Sequence, residues 1–382
     1  MAMTHRQRML ATLRREPHDR VPYSVRMDQW YNWHAEKGTL PTKYRGMTAF
    51  DIIRSFGGGI QGVDRYAKPT PQPGSGTLFK EVLHNVQVNV HETPHEKVTE
   101  YVTPVGTVRT RHMVTEEAAG SGAIDVERFF KDERDYPVLE YLFSNTEIVP
   151  DHEGFKQMEK LLGEDGLTFP GLGYSPCHYL MRTVMGYDRF FYELADNREK
   201  VERLLRVIEE RDRQKVRVAA ASLAINIQVC GNWVDSIHTP VFKKYMTPWF
   251  QEIGEVLHGA GKLMQSHIDG EMKRLLPLFL ETTIDIGEAF TPSPMTKVTM
   301  KDVKEAWGDR VTVWGGLSTV MFNPTYTDQE FDDYVVALLR EAAPAHNIII
   351  GMGDNVPMTA DFDRVIRVEQ ILEKHGVLPA SA

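Results

Sequence analysis

Only two of the 382 residues are cysteine, Cys177 and Cys230, so neither a disulfide framework nor a Cys-rich zinc cluster can be built. Basic residues are outnumbered: 44 Lys and Arg stand against 53 Asp and Glu, a formal net charge of −9. That balance excludes the basic face that nucleic acid requires and fits a soluble, cytoplasmic protein. No apolar run approaches the length that spans a bilayer, so no membrane association is expected. The opening MAMTHRQRMLATLRREP is too polar for a secretory signal peptide. No GxGxxG follows a first strand, and GGG at 57–59 follows a helical segment, the wrong context for a phosphate cradle.

What is present is an ordinary globular mixture, 42% hydrophobic and 25% charged, able to bury a sizeable core. Residues 5–15 read as a short amphipathic helix ended by Pro17. DRVPYSVRMDQWYNWH then holds one strand-like segment and a crowd of aromatics. Between about 79 and 114 apolar and polar residues alternate around a Pro-Val-Gly turn, which predicts a β-hairpin or small antiparallel sheet. Acidic, glycine-containing sequence follows. From about 150 the rhythm becomes strand–helix, with strands expected at 167–171, 223–229, 262–267, 283–288, 311–315 and 347–351. Helices are expected at 197–221, 240–258, 299–307, 328–342 and 361–375. Such units imply parallel strands with right-handed crossovers. The expected architecture is a single α/β domain over 1–382, a (β/α)8 TIM barrel with an N-terminal helical segment and a small β-excursion. A doubly wound open sheet is the runner-up.

In a barrel of this kind, chemistry gathers where strands end. KLMQSHIDGE, residues 262–271, places His267 and Asp269 two apart at such an end, on one side of an extended chain. Three readings are open: metal ligands, an acid–base pair, or a hydrogen-bonded pair at a loop. Other strand ends bring Tyr174, Cys177 and His178, then Cys230, Trp233, Asp235 and His238, then Glu288, and finally Asp354 and Asn355. His267, Asp269, Glu288 and Asp354 together offer one nitrogen and several oxygens, a set suited to zinc or another divalent ion. Cys230 reads better as a small buried hydrophobe. Trp30, Tyr31, Trp33, Trp233 and Trp314 read first as packing, although Trp30 and Trp33 would wall an apolar pocket if their helix overhung the barrel mouth.

Four stretches resemble the uroporphyrinogen decarboxylase superfamily, which includes the corrinoid-dependent methyltransferases. They are THRQRMLATLRREPHDRVP at the start, GYDRFFYELADNREKVERLL in the middle, WGGLST, and GMGDNVPMTADFDRVIRVEQIL near the end. The resemblance implies a (β/α)8 barrel with its site at the C-terminal mouth. Where decarboxylases carry PWxMRQAGRYLPEY to hold substrate carboxylates, this chain has PYSVRMDQWYNWHAEKG, with only Arg26 suggestive of the pattern. Where the methyltransferase branch carries a zinc-binding H-x-C and a later GCG, the chain has His267-Ile268-Asp269 and Gly353-Asp354-Asn355, with Asp in place of both cysteines. The resemblance thus implies a divalent metal on His267, Asp269, Glu288 and Asp354, with His267, Asp269, Asp354 and Asp235 as catalytic candidates. Arg26, Trp30, Tyr31, Trp33, Tyr174, His178 and Trp233 are the candidates for substrate binding. It implies methyl transfer from a small methylated donor, with a methoxylated aromatic favoured by the aromatics, to a corrinoid on a separate protein, since no DxHxxG cobalamin motif occurs in this chain. It also leaves room for a homodimer. The alternative is a cofactor-free decarboxylase acting on a porphyrinogen or another carboxylated substrate.

Overall fold

The computed structural model describes residues 2–63, 78–114 and 123–377. Eight parallel strands form the body. They are Tyr23–Val25, Gly59–Gly62, an interrupted third strand, Asn226–Cys230, Leu263–His267, Ile286–Phe290, Thr312–Leu317 and Ile348–Met352. The third consists of Gly166–Thr168, paired with the second strand, and Gly171–Tyr174, paired with the fourth. Phe169 and Pro170 lie between the halves. Proline has no N–H to donate, but its carbonyl still accepts from Gln228 N at 2.9 Å. With the eighth strand paired to the first, the ring closes. The barrel expected from the strand–helix rhythm is present, and the open sheet is not.

The predicted elements from residue 197 onward lie close to the observed ones. The helix expected at 328–342 is Asp328–Ala342, and that at 361–375 is Phe362–His375. The second strand escaped notice because GIQG carries no strand-like side-chain pattern. Its glycines serve close approach: a Cβ on Gly59 would lie 2.5 Å from Tyr23 O, and one on Gly62 would lie 2.5 Å from Leu162 Cδ1.

Helix His5–Arg14 begins with a capping box between Thr4 and Gln7 and turns off at Arg15, in the left-handed region. Its Met9 and Leu13 pack with Leu167, Phe169, Ile286, Trp314 and Ile349 in one buried cluster. Most of these residues stand at or near the starts of strands, so the helix closes the amino end of the barrel and leaves the carboxyl end open. The β-excursion is larger than expected. Phe79–Leu83 pairs with Thr146–Pro150, and a four-stranded antiparallel sheet runs from Gln87 to Glu127. The acidic stretch expected after 114 falls largely outside the described residues. Among the described residues no helix is long and apolar enough to cross a membrane.

Candidate active site

Parallel pairing carries all eight strand ends to one mouth, and there the polar side chains meet. At the floor lies Glu288, 2% exposed. A buried carboxylate needs donors on every oxygen, and three strands supply them. Gln61 Nε2 donates to Oε1 at 2.7 Å, and Gln228 Nε2 donates to Oε2 at 2.9 Å. Nδ1 of His267 lies 2.6 Å from the same Oε2. The sixth strand bulges just past Glu288, where Ala289 adopts φ 60°, in the left-handed region. A non-glycine residue held there marks local strain next to the cluster.

His267 is the centre of the arrangement. Its side chain is 13% exposed, and Nε2 faces Asp269 Oδ1 at 3.3 Å and Asp354 Oδ1 at 3.9 Å. Burial works against a charged ring, but the Glu288 charge and the contacts with Asp269 and Glu288 outweigh it. The imidazole is held well above its ordinary pKa. With Nδ1 directed at Glu288, Nε2 faces the Asp269 and Asp354 carboxylates at the mouth.

The two carboxylates above His267 are themselves held. Asn232 Nδ2 donates to both oxygens of Asp269, at 2.6 and 2.7 Å, and Asn232 Oδ1 accepts from Tyr174 OH at 2.9 Å. Trp233, fully buried, donates from Nε1 to His267 O at 2.9 Å, tying the loop after the fourth strand to the fifth. Asp354 accepts from Arg26 Nη1 at 2.8 Å, while Arg26 Nε donates to Asp28 Oδ1 at 2.9 Å. Asn355 Nδ2 also donates to Asp28, at 2.6 Å. A cavity of about 460 Å³ opens above this cluster, lined by Gln29, Asp269, Glu271, Thr291, Asp354 and Asn355 among others. No aromatic, Lys or Arg side chain among the described residues lines it.

Residues 167–375, more than half of the chain, match the family described as uroporphyrinogen decarboxylase (URO-D). The chain belongs to that family. No curated protein matches it. Among solved structures, the fold is similar to that of a methyltransferase from Methanosarcina mazei, with a TM-score of 0.57 at 13% identity, over 97% of this chain and 99% of that one.

Within this URO-D barrel several expected site residues do gather: His267, Asp269, Glu288, Asp354 and Arg26, with Tyr174 joined through Asn232. Others do not. Trp30 is 2% exposed and stacks on Phe362 at 4.1 Å, and Tyr31 donates to Met47 O at 3.1 Å. Trp33 lies under the Lys37 ammonium. These rings belong to the outer helix layer: their helix brings Gln29 to the mouth cavity but turns Trp30 toward Phe362. Asp235 starts a helix and pairs with Arg274 at 3.2 Å, away from the imidazole. His178 is fully buried, with Nε2 3.3 Å from His238 Nε2, and serves the interior under the site. Trp233 likewise packs and positions.

The expected divalent ion finds no ready ligand set. Glu288 lies on Nδ1 of His267 while Asp269 and Asp354 lie on Nε2, so the four side chains do not face one point. Asp354 is engaged by Arg26 and Asp269 by Asn232. Among the described residues, no group of three or more His, Cys, Asp or Glu side chains is placed to hold a metal ion. The sequence reading missed Asp28, Gln61, Gln228 and Asn232. Asn232 sits just beyond a strand end, where it could have been found, but nothing local marks Gln61.

Proposed function

We propose that the chain moves a methyl group from a small methylated donor, bound in the mouth cavity, to the reduced cobalt of a corrinoid carried by a separate protein. The observation that carries this reading is the placement of His267, anchored by Glu288 at Nδ1 with its Nε2 beside Asp269 and Asp354, two carboxylates that line the cavity. The donor's heteroatom would rest against the Nε2 proton. The bond between methyl carbon and heteroatom breaks as the methyl group passes to cobalt, and the electron pair left on the heteroatom takes the Nε2 proton. Glu288 and Asp269 keep the ring charged and oriented throughout. The corrinoid is a substrate here, not a resident group. The expected metal's task, making the heteroatom a better leaving group, falls in this reading to a proton.

The methyltransferase described for the M. mazei neighbour is in keeping with this reading, at an identity that speaks for fold alone. The cavity's polar lining suits a small polar donor and gives a bare methoxylated ring nothing to stack on. A decarboxylase acting on a carboxyl-rich porphyrinogen is less well served. Arg26 is already engaged by Asp28 and Asp354, and Asp269, Glu271 and Asp354 would repel further carboxylates. The reading is tested by incubating the protein with cob(I)alamin and methylated oxygen, nitrogen and sulfur donors in turn. Methylcobalamin should appear in the spectrum with one class. Silence with all of them, alongside release of CO2 from a carboxylated substrate, would replace it with the lyase.

A further inference from the structure

The four-stranded antiparallel sheet has two edges, and one of them is unguarded. An exposed edge strand recruits other strands unless it is short, bulged, or carries Lys or Pro. Ile124–Glu127 is short, and its pairing shifts register between Arg111 and His112. At the other edge, Gln87–Glu92 pairs with its neighbour without a register shift and contains neither Lys nor Pro. All of its residues are exposed, and among the described residues no strand pairs with its outer side.

The hairpin that follows fixes which backbone groups are free. Thr93 N donates to Glu96 O at 2.8 Å, and antiparallel bonds alternate from residue to residue. Gln87, Asn89 and His91 therefore turn their N–H and C=O groups toward strand Glu96–Thr103, while Val88, Val90 and Glu92 turn theirs outward. Val88 and Val90 share a face with Tyr101 and Thr99, and through these with Val108 and Thr110. Helix Asp135–Ser144 packs on the two middle strands, where Thr99, Val108 and Thr110 are buried. The same face runs on past the helix, and there Val88 and Val90 are 42% and 54% exposed.

The strand is complementary to itself. Set antiparallel about a twofold axis at Asn89, Val88 lies opposite Val90 of a second copy, and Val90 opposite its Val88. The free backbone groups then meet, and four valines form one apolar patch. On the polar face Asn89 meets its own counterpart, and Gln87 meets His91. The one acidic side chain of the strand, Glu92, is countered by Lys97 at 3.4 Å. The edges can therefore meet without opposed like charges, despite a net charge of −9 on each chain.

We propose that Gln87–Glu92 is a self-association surface, through which two copies of the chain join their antiparallel sheets about Asn89. The contact is isologous, so it closes as a dimer. One strand pair with four valines is smaller than the roughly 1,200 Å² at which stable interfaces begin, so the dimer forms reversibly with concentration. The surface is independent of the chemistry at the barrel mouth.

Sedimentation equilibrium of the full chain, from about 1 to 300 μM, should show monomer and dimer in exchange. Asn89→Lys and Asn89→Glu each set like charges opposite one another across the axis, and each should weaken association about 3-fold or more. An equimolar mixture of the two variants should restore it. Residues opposed at a non-hydrogen-bonded antiparallel pair stand about 4.5 Å apart at Cα, within the reach of a disulfide. Asn89→Cys should therefore crosslink to its copy under mild oxidation, and Gln87→Cys, opposite His91, should not. The wild type, with Cys177 buried and Cys230 half-buried, is the control. A monomer throughout the range, a dimer indifferent to charge at position 89, or crosslinking as fast from position 87 as from 89 would overturn the inference.

Discussion

Nδ1 of His267 and Oε2 of Glu288 are 2.6 Å apart, and this contact decides which ring nitrogen faces the mouth. Glu288 is locked in turn by Gln61 and Gln228, from the second and fourth barrel strands. Replacing Glu288 by Gln keeps the shape and removes the charge that holds the proton on His267. Methyl transfer should fall about 10²-fold in kcat, with KM changed little. An unchanged kcat would show that the imidazole's charge is not used.

The same pair shapes the alkaline limb of stability. A histidine whose folded pKa is raised contributes stability that is fully present below the unfolded value and lost as pH rises through the folded one. His267 is such a group. The wild type should therefore lose stability above about pH 6.5, over a window extending upward to the folded value. In Glu288→Gln that loss should begin at lower pH. Thermal melts across pH 6 to 10 would show superimposable alkaline limbs if the pair carried no linkage.

His178 and His238 govern the acid limb with the opposite sign. Burial, with the Arg182 charge, lowers His238 from 6.5 to about 4, and burial, His238 and Arg182 hold His178 well below its ordinary value. Both rings are neutral in the fold, so stability is present above the unfolded value and is lost as pH falls through the window from 6.5 toward about 4. His178→Gln keeps a hydrogen-bonding partner for His238 and removes one titrating group. Its acid limb should be shallower by up to about 1.4 kcal/mol per pH unit. An acid limb as steep as the wild type's would place the linkage elsewhere.

Arg26 is held between buried Asp28 and half-exposed Asp354. Arg26→Met leaves Asp28 without its cation and should cost about 3 kcal/mol in chemical denaturation. Adding Asp28→Asn should recover part of that cost. A single variant as stable as the wild type would show that Arg26 is not needed to hold Asp28 in the fold.

The sequence made the later half of the barrel legible because its strands are apolar runs between helices with a clear 3.6-residue period. It made His267, Asp269, Glu288 and Asp354 legible because each stands where such a run stops. Three things lay beyond it. Gly59–Gly62 is a strand because of what it pairs with, since its own side chains carry no pattern. Gln61, Gln228 and Asn232 are neutral amides whose roles exist only across the barrel, between residues far apart in sequence. Trp30 and Trp33 read as pocket walls on the condition that their helix overhung the mouth, because local sequence does not say which face of that helix meets the core. The structure reverses the consequence: Trp30→Ala should cost about 3–5 kcal/mol of stability and leave kinetics almost unchanged. A large rise in KM with no loss of stability would return Trp30 to the pocket.

The most direct measurement is methyl transfer to cob(I)alamin by protein stripped of metal with a chelator, run beside untreated protein and His267→Gln. With a donor accepted in the screen, treated and untreated wild type should form methylcobalamin at the same rate. His267→Gln should be slower by about 10²- to 10⁴-fold, the usual contribution of a positioned general acid. Activity that disappears with the chelator and returns with added zinc would contradict the proton-donor account and restore the metal site on His267, Asp269 and Asp354.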